Sequence, residues 1–138
     1  MRETVDCMIE NAKWIAATEV EQAPCIEKKF SVGKVRSAIL DITGLGYFYA
    51  EINGKKVTDD LFNPVFSDYR ARSLNNLLYP IADKMTHRVY FCRYDIAEML
   101  KCGDNVLSVY LGNGWYRQTK RTAEGHLEFG NKLIARFS

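Results

Sequence analysis

The stretch YFYAEINGKKV, residues 47–57, decides the fold class. Every second residue from Phe48 to Ile52 is apolar, and this period of two predicts a strand with one buried face. The Asn53-Gly54 pair then supplies the left-handed backbone dihedrals that a two-residue hairpin turn requires. A return strand begins at Lys55. The sequence therefore predicts a β-hairpin over these residues.

Comparable patterns on both sides of the hairpin predict the rest of an all-β fold. Residues 105–111 are apolar on both faces, as expected for a strand in the middle of a packed sheet. Residues 61–69 contain Pro64, which removes a backbone donor and favours an edge or a loop. Further strands are predicted over residues 25–32, 35–42, 88–94 and 132–137. A total of about seven short strands is typical of a β-sandwich.

One short helix is predicted between two of these strands. Asp95 and Glu98 have the spacing of a capping box, in which two side chains satisfy the first free amides of a helix. Gly103 offers a stop. We therefore expect a short helical turn over residues 95–102.

The domain organisation is simple. Residues 1–24 are interpreted as an N-terminal arm and residues 25–138 as the β-sandwich module. The apolar pattern still continues at Ser138. We therefore expect the module to be a fragment of a longer multidomain protein.

The composition excludes several classes of function. Of the 138 residues, 47% are hydrophobic and 26% are charged, and the formal net charge is +2. This surplus is too small for the basic surface that nucleic acids or anionic membranes select. No apolar stretch has the length of a membrane span or the form of a secretory signal. The four cysteines include no C-x-x-C pair, so the common zinc spacing is missing. We expect a cytoplasmic chain that binds neither nucleic acid nor membranes.

Four passages of the chain carry a family resemblance. They are AILDITGLGY followed by YAEINGKKV (residues 38–57), NP with SDY (63–69), RVY with YDI (88–96), and GDN with LGNGWYR (103–117). In this order they resemble the amino-terminal β-sandwich module of bacterial α-L-rhamnosidases, and the similarity covers about residues 24–138. Two departures concern the loops: the tract Ala71–His87 is longer than usual, and Gln118 replaces a glycine.

The resemblance implies a jelly-roll sandwich of the galactose-binding-domain-like kind, attached to a helical barrel that carries the catalytic carboxylates. Some members of the family bind rhamnose with a calcium ion, and others are structural. No acidic pair of this chain lies in a motif that we interpret as catalytic, so we expect no activity from the segment alone. It is predicted to be a non-catalytic accessory domain for rhamnose-containing carbohydrate. The alternative is a structural domain that docks on the catalytic domain of the same chain without binding sugar.

Most candidate carbohydrate-binding residues lie in the passage LGNGWYR. Trp115 and Tyr116 offer flat aromatic faces for the C–H edges of a sugar ring, and Asn113 and Arg117 offer donors and acceptors for its hydroxyls. The glycines on either side of Asn113 allow the chain to turn sharply at the end of a strand. In the alternative interpretation, the two aromatic residues close the sandwich or dock on the catalytic barrel.

Asp68 and Tyr69 complete the set of candidate carbohydrate-binding residues. Asn63 precedes them, and the Asp59-Asp60 pair is close in sequence, so oxygen ligands for calcium could gather here. No EF-hand spacing is present. The alternative for Asp68 is a hydrogen bond to its own backbone in a turn.

Overall fold

The computed structural model describes residues 8–18, 23–65, 89–114, 116–117 and 134–138. These residues form two four-stranded sheets, in which all strand pairs are antiparallel. Sheet A contains, in spatial order, β1 (Ile15–Ala16), β8 (Ile134–Phe137), β3 (Ile39–Gly44) and β6 (Cys92–Asp95). Sheet B contains β2 (Cys25–Val32), β7 (Gly103–Gly112), β4 (Tyr47–Ile52) and β5 (Lys55–Lys56). The predicted all-β sandwich is confirmed, and the jelly-roll connectivity implied by the resemblance stays a prediction.

The core lies between the two sheets, and its side chains come from alternate positions of the facing strands. Burial of one Leu, Ile or Phe side chain contributes about 1.5 to 3 kcal/mol, so this layer supplies most of the favourable free energy of folding. Its buried members are Leu40, Ile42, Leu45, Phe48, Ala50, Ile52, Ile96, Leu107, Val109, Leu111, Tyr116 and Ala135. Ile26 and Phe30 of β2 pack against this layer.

The predicted hairpin is confirmed. The strand over residues 47–52 has the predicted bounds, and β5 returns with Lys55 opposite Ile52. Asn53 and Gly54 have positive φ angles of 53° and 76°, as a two-residue turn of this kind requires. Asparagine and glycine tolerate positive φ angles best, so the identity of these two turn residues explains why the chain reverses here.

The strand β7 lies in the middle of sheet B, between β2 and β4, as predicted. Both of its faces are apolar in sequence, but only one of them is buried in the structure. Leu107 and Val109 point into the core, whereas Tyr110 is exposed on the opposite face. The reason is that sheet A covers only one side of sheet B, so alternate residues of β7 face outward.

The predicted short helix is reduced to a three-residue 3₁₀ turn, Ala97–Met99. The Ile96 amide donates to the Ala38 carbonyl at 2.9 Å, and the Ile96 side chain is buried in the core. This contact keeps the chain extended up to Ile96. In this fully described segment the capping box does not form, because Asp95 Oδ1 accepts from the Ala97 amide at 3.0 Å instead of from the Glu98 amide. Gly103 begins β7 and does not end a helix.

Part of the predicted N-terminal arm takes part in the sandwich. Residues 8–18 contain a 3₁₀ turn, Met8–Asn11, and the strand β1, which pairs with β8 at the edge of sheet A. Ile9 is buried. The boundary between arm and module stays a prediction. Within the described ranges, no helix is long and apolar enough to cross a membrane.

A buried ion pair ties β3 to β6 on the side of sheet A that faces away from the core. Asp41 lies directly opposite Arg93, is 2% exposed, and accepts from Arg93 Nε and Nη2 at 2.7 Å each. A two-pronged guanidinium–carboxylate pair of this kind fixes geometry as well as charge. Asp41 also exchanges two backbone hydrogen bonds with Ser138, at 3.1 and 3.0 Å. Asp41 therefore connects β3 to both of its neighbours.

We expect Arg93→Ala to lower the free energy of unfolding by about 2 kcal/mol, because the buried Asp41 carboxylate loses its partner. The effect stays below that of a fully buried pair since the Arg93 side chain is 36% exposed, so that water can replace part of the lost contact. Urea unfolding at neutral pH measures it. Arg36→Ala, at an exposed arginine outside the strands, is the control and should change little. A loss below about 0.5 kcal/mol for Arg93→Ala would contradict the prediction.

Candidate functional site

Two turns meet at the end of the sandwich where the LGNGWYR passage leaves β7. A Cβ atom placed on Gly46, whose φ is +100°, would collide with the Gly112 carbonyl oxygen and lie 2.7 Å from that of Asn113. A Cβ on Gly114 would lie 3.1 Å from Gly46 Cα. The backbone of the turn between β3 and β4 therefore packs directly on the chain after β7. We call this region, residues 44–47, 112–114 and 116–117, the loop end.

Asn113 is the most informative residue of the loop end. Its backbone carbonyl accepts from the amides of Tyr116 at 3.1 Å and Arg117 at 3.2 Å, which closes a tight turn. Its side-chain Oδ1 is buried and has no hydrogen-bond partner in the described part of the chain. An unpaired buried acceptor costs about 1 to 3 kcal/mol. Asn113 Oδ1 is therefore a buried acceptor at the loop end that lacks a donor.

Of the other predicted carbohydrate-binding residues, the structure describes Tyr116 and Arg117. Tyr116 is 8% exposed and belongs to the core layer, and burial raises the pKa of its hydroxyl. This position matches the alternative in which Tyr116 closes the sandwich. Arg117 is half-buried beside the Asn113 turn. Trp115, Asp68 and Tyr69 lie outside the described residues.

A loop beside the loop end exposes apolar side chains that the sequence analysis did not single out. Leu61, Phe62 and Val65 are all largely exposed, Phe62 at 71%, and Phe62 has a positive φ of 61°. The Phe62 ring lies 5.3 Å from that of Tyr47. The signal was present in the sequence, because three large apolar residues stand around Pro64 in a segment predicted to be an edge or loop.

Asn63 anchors this apolar loop to both sheets. Its carbonyl accepts from the Phe48 amide at 2.7 Å, and its Nδ2 donates to Tyr94 Oη at 3.1 Å. Burial is the largest cause that raises the pKa of the Tyr94 hydroxyl, so this hydroxyl stays protonated near neutral pH. The side chain of Asn63 is therefore engaged inside the protein, which leaves it a structural role.

The predicted calcium site does not assemble from described residues. Asp68 lies outside them, and the described residues contain no group of three or more His, Cys, Asp or Glu side chains that could hold a metal. The Asp60 amide donates to Thr58 Oγ1 at 3.1 Å, so the Asp59-Asp60 pair lies in a hydrogen-bonded turn. Calcium binding by this chain stays a prediction that depends on Asp68.

Comparison with known protein families identifies the domain. The model of the family described as "Alpha-L-rhamnosidase N-terminal domain" matches residues 33–79 and 74–137. An α-L-rhamnosidase of Formosa agariphila is 36% identical over 97 residues, which are 70% of this chain and 8% of that protein. An α-L-rhamnosidase of Streptomyces avermitilis is 32% identical over 83 residues, or 60% of this chain and 6% of that protein. The chain therefore spans less than a tenth of the length of these relatives.

Solved structures show the same fold. A native α-L-rhamnosidase from Aspergillus terreus superposes with a TM-score of 0.70 at 26% identity, over 94% of this chain and 14% of that chain. The Streptomyces avermitilis α-L-rhamnosidase, solved in complex with L-rhamnose, gives a TM-score of 0.64 at 26% identity, over 82% of this chain and 10% of that chain. Together with the match over residues 33–137, these likenesses confirm the resemblance: the chain belongs to the family of α-L-rhamnosidase N-terminal domains.

Proposed function

We propose that the chain is a non-catalytic accessory domain of an α-L-rhamnosidase-like glycoside hydrolase and that its loop end holds rhamnose-containing carbohydrate. Family membership supports the first part. The observation that carries the second part is the buried Asn113 Oδ1, which has no partner in the described part of the chain. A Streptomyces avermitilis relative of the same fold was solved with L-rhamnose. That complex supports the substrate class proposed here.

The chemistry of the loop end fits a sugar hydroxyl. A hydroxyl group donates one hydrogen bond and accepts others, so it can satisfy Asn113 Oδ1 and receive a bond from the half-buried Arg117 beside it. Each well-placed hydrogen bond contributes about 0.5 to 1.5 kcal/mol, so a few such bonds give weak, millimolar to micromolar binding. No bond is broken in this role. Hydrolysis belongs, in this proposal, to another part of the longer protein.

A second candidate function is docking on the catalytic domain. The exposed Leu61, Phe62 and Val65 form a small apolar loop surface, and such surfaces often mark contacts with another domain. In this alternative the domain stabilises the enzyme without contacting sugar. The two functions use neighbouring surfaces, so separate variants can distinguish them.

We expect calorimetric titration with L-rhamnose, with and without calcium, to show binding that Asn113→Ala weakens about fivefold, because one hydrogen bond to the ligand is lost. Asp68→Ala should remove any calcium dependence. Asn11→Ala, at an exposed asparagine on the first 3₁₀ turn, is the control and should bind like the unaltered chain.

The outcomes separate the two candidate functions. Absence of heat at millimolar rhamnose in both conditions would contradict sugar binding at the loop end. In that case docking predicts that Phe62→Ser weakens association with the catalytic part of the parent enzyme. Turnover of an aryl rhamnoside by this chain alone would contradict both, since each assigns the chemistry to another domain.

A further inference from the structure

The outer face of sheet B carries a row of tyrosines next to a row of polar groups. Tyr49 of β4 lies directly opposite Tyr110 of β7. Two residues further along the same face, Ser108 of β7 lies opposite Glu51 of β4 on one side and opposite Glu27 of β2 on the other. All five point away from the core, because their neighbours along each strand point into it. We call these five residues the tyrosine face.

The two tyrosine rings form a shallow aromatic surface. Their centroids lie 5.6 Å apart with an angle of 45° between the ring planes, which is a favourable tilted arrangement. Tyr110 is 39% exposed although it stands on the central strand of the sheet. On its other side Tyr110 lies directly opposite Cys25, and the two side chains are hydrogen-bonded to each other. A flat ligand can therefore rest on Tyr110.

The polar row beside the rings is already ordered by internal hydrogen bonds. Tyr49 Oη donates to Glu51 Oε1 at 2.7 Å, and Ser108 Oγ donates to Glu27 Oε1 at 3.3 Å. The bond to Glu51 raises the pKa of Tyr49 to about 12, and the charge of Glu51 is the largest cause that raises the pKa of Tyr110. Both hydroxyls therefore stay protonated at neutral pH and act as donors.

The charges on this surface indicate the class of ligand. Glu27 and Glu51 are matched by Lys29 on β2 and Lys56 on β5, whose Nζ lies 5.7 Å from the centre of the Tyr49 ring. The charge of Asp59 also acts on Tyr49, so three carboxylates and two ammonium groups leave a small net negative charge. Such a surface disfavours an anionic ligand, whereas its hydroxyl, carboxylate and ammonium groups suit the hydroxyl groups of a neutral one.

We propose that the tyrosine face is a second carbohydrate-binding surface, which takes a neutral oligosaccharide chain with one sugar ring resting on Tyr110. The adjoining sugar hydroxyls donate to the Glu27 and Glu51 carboxylates. Neighbouring strands lie about 4.8 Å apart, so the four strands of sheet B support a ligand of a few sugar units running across them. The surface contains no residue of the loop end, so it does not depend on the function proposed for Asn113.

The test starts from an array of neutral and uronic-acid-containing oligosaccharides probed with the full chain, and the strongest neutral ligand is then titrated by calorimetry. We expect Tyr110→Ala to weaken its binding about tenfold, because the stacking surface is lost. Tyr110→Phe keeps the ring and should stay within about threefold of the unaltered chain. Tyr90→Ala is the matched control, since Tyr90 is also exposed, at 46%, but does not belong to sheet B.

Each outcome supports or contradicts the proposal. Loss of oligosaccharide binding in Tyr110→Ala with unchanged binding in Tyr90→Ala supports it, and unchanged L-rhamnose binding by Tyr110→Ala separates it from the loop end. If Tyr110→Ala does not fold, Glu27→Gln at the edge of the face must weaken binding about threefold. The proposal is overturned if no neutral oligosaccharide binds, if Tyr110→Ala binds normally, or if Asn113→Ala alone removes binding. It is equally overturned if the face binds a lysine-rich peptide and no sugar.

Discussion

Gly46→Ala should lower the free energy of unfolding by about 4 kcal/mol, the largest effect that we expect from a single substitution. An alanine at φ +100° costs about 1 to 2 kcal/mol in backbone strain. The new methyl group also collides with the carbonyl oxygen of Gly112, and backbone of this kind cannot move aside cheaply. Urea or thermal unfolding followed by circular dichroism measures the loss.

Gly33→Ala is the matched control for this experiment. A Cβ at Gly33 meets no atom within 4 Å, so the same substitution there should change stability by less than about 0.5 kcal/mol. The Gly46 substitution should also weaken rhamnose binding, because relief of the collision pushes the Asn113 turn away from its position. A loss of stability below about 1 kcal/mol for Gly46→Ala would contradict the close approach of the two turns.

Asn105→Ala should cost about 3 kcal/mol, because one buried side chain satisfies four polar groups at once. Asn105 Oδ1 accepts from the Lys101 amide at 3.0 Å and from Asn53 Nδ2 at 2.8 Å. Its Nδ2 donates to the carbonyls of Lys101 at 2.8 Å and Gly103 at 2.9 Å. Asn105 is 1% exposed, so water cannot readily replace these bonds.

The neighbouring Asp104 provides the control for Asn105. Asp104 is exposed on the same strand, and Asp104→Ala should change stability little. Asn53 belongs to the same hydrogen-bond network as Asn105, and its Oδ1 also accepts from the Val106 amide at 3.1 Å. Asn53→Ala should therefore also lower the free energy of unfolding. The double variant should lose less stability than the two single losses added together, because both remove the same bond. Strict additivity would contradict a common network.

The local sequence pattern was sufficient to predict the bounds of the strands that have one buried face and a turn after them. β2 and β4 have the predicted bounds, because their alternation is regular and a glycine or an Asn-Gly pair follows each of them. The strand predicted over residues 35–42 is β3, which begins four residues later than predicted, at Ile39, and ends at Gly44. Alternation alone does not show where a partner strand starts to pair, so this difference follows from the register with β6 and β8.

The site was less predictable because its key contacts join residues far apart in sequence. The unpaired state of Asn113 Oδ1 depends on how the Gly46 turn approaches the end of β7, and no local pattern encodes that approach. Asp41 and Arg93 are 52 residues apart, and only the register of β3 with β6 brings them together. The outward position of Tyr49 followed from alternation, but Tyr110 stands in a run that is apolar on both faces, and the pairing of the two tyrosines required the register of β4 with β7.

The two sheets differ in how widely their strands are spread along the chain. All four strands of sheet B lie between residues 25 and 112, whereas sheet A needs β1 near residue 15 and β8 at residues 134–137. During synthesis on the ribosome, sheet B therefore has all its strands well before sheet A receives β8, the strand that joins β1 to β3. In the interval, sheet A lacks the strand that joins β1 to β3, so its cover over the core is incomplete and the nascent domain exposes apolar surface that favours aggregation.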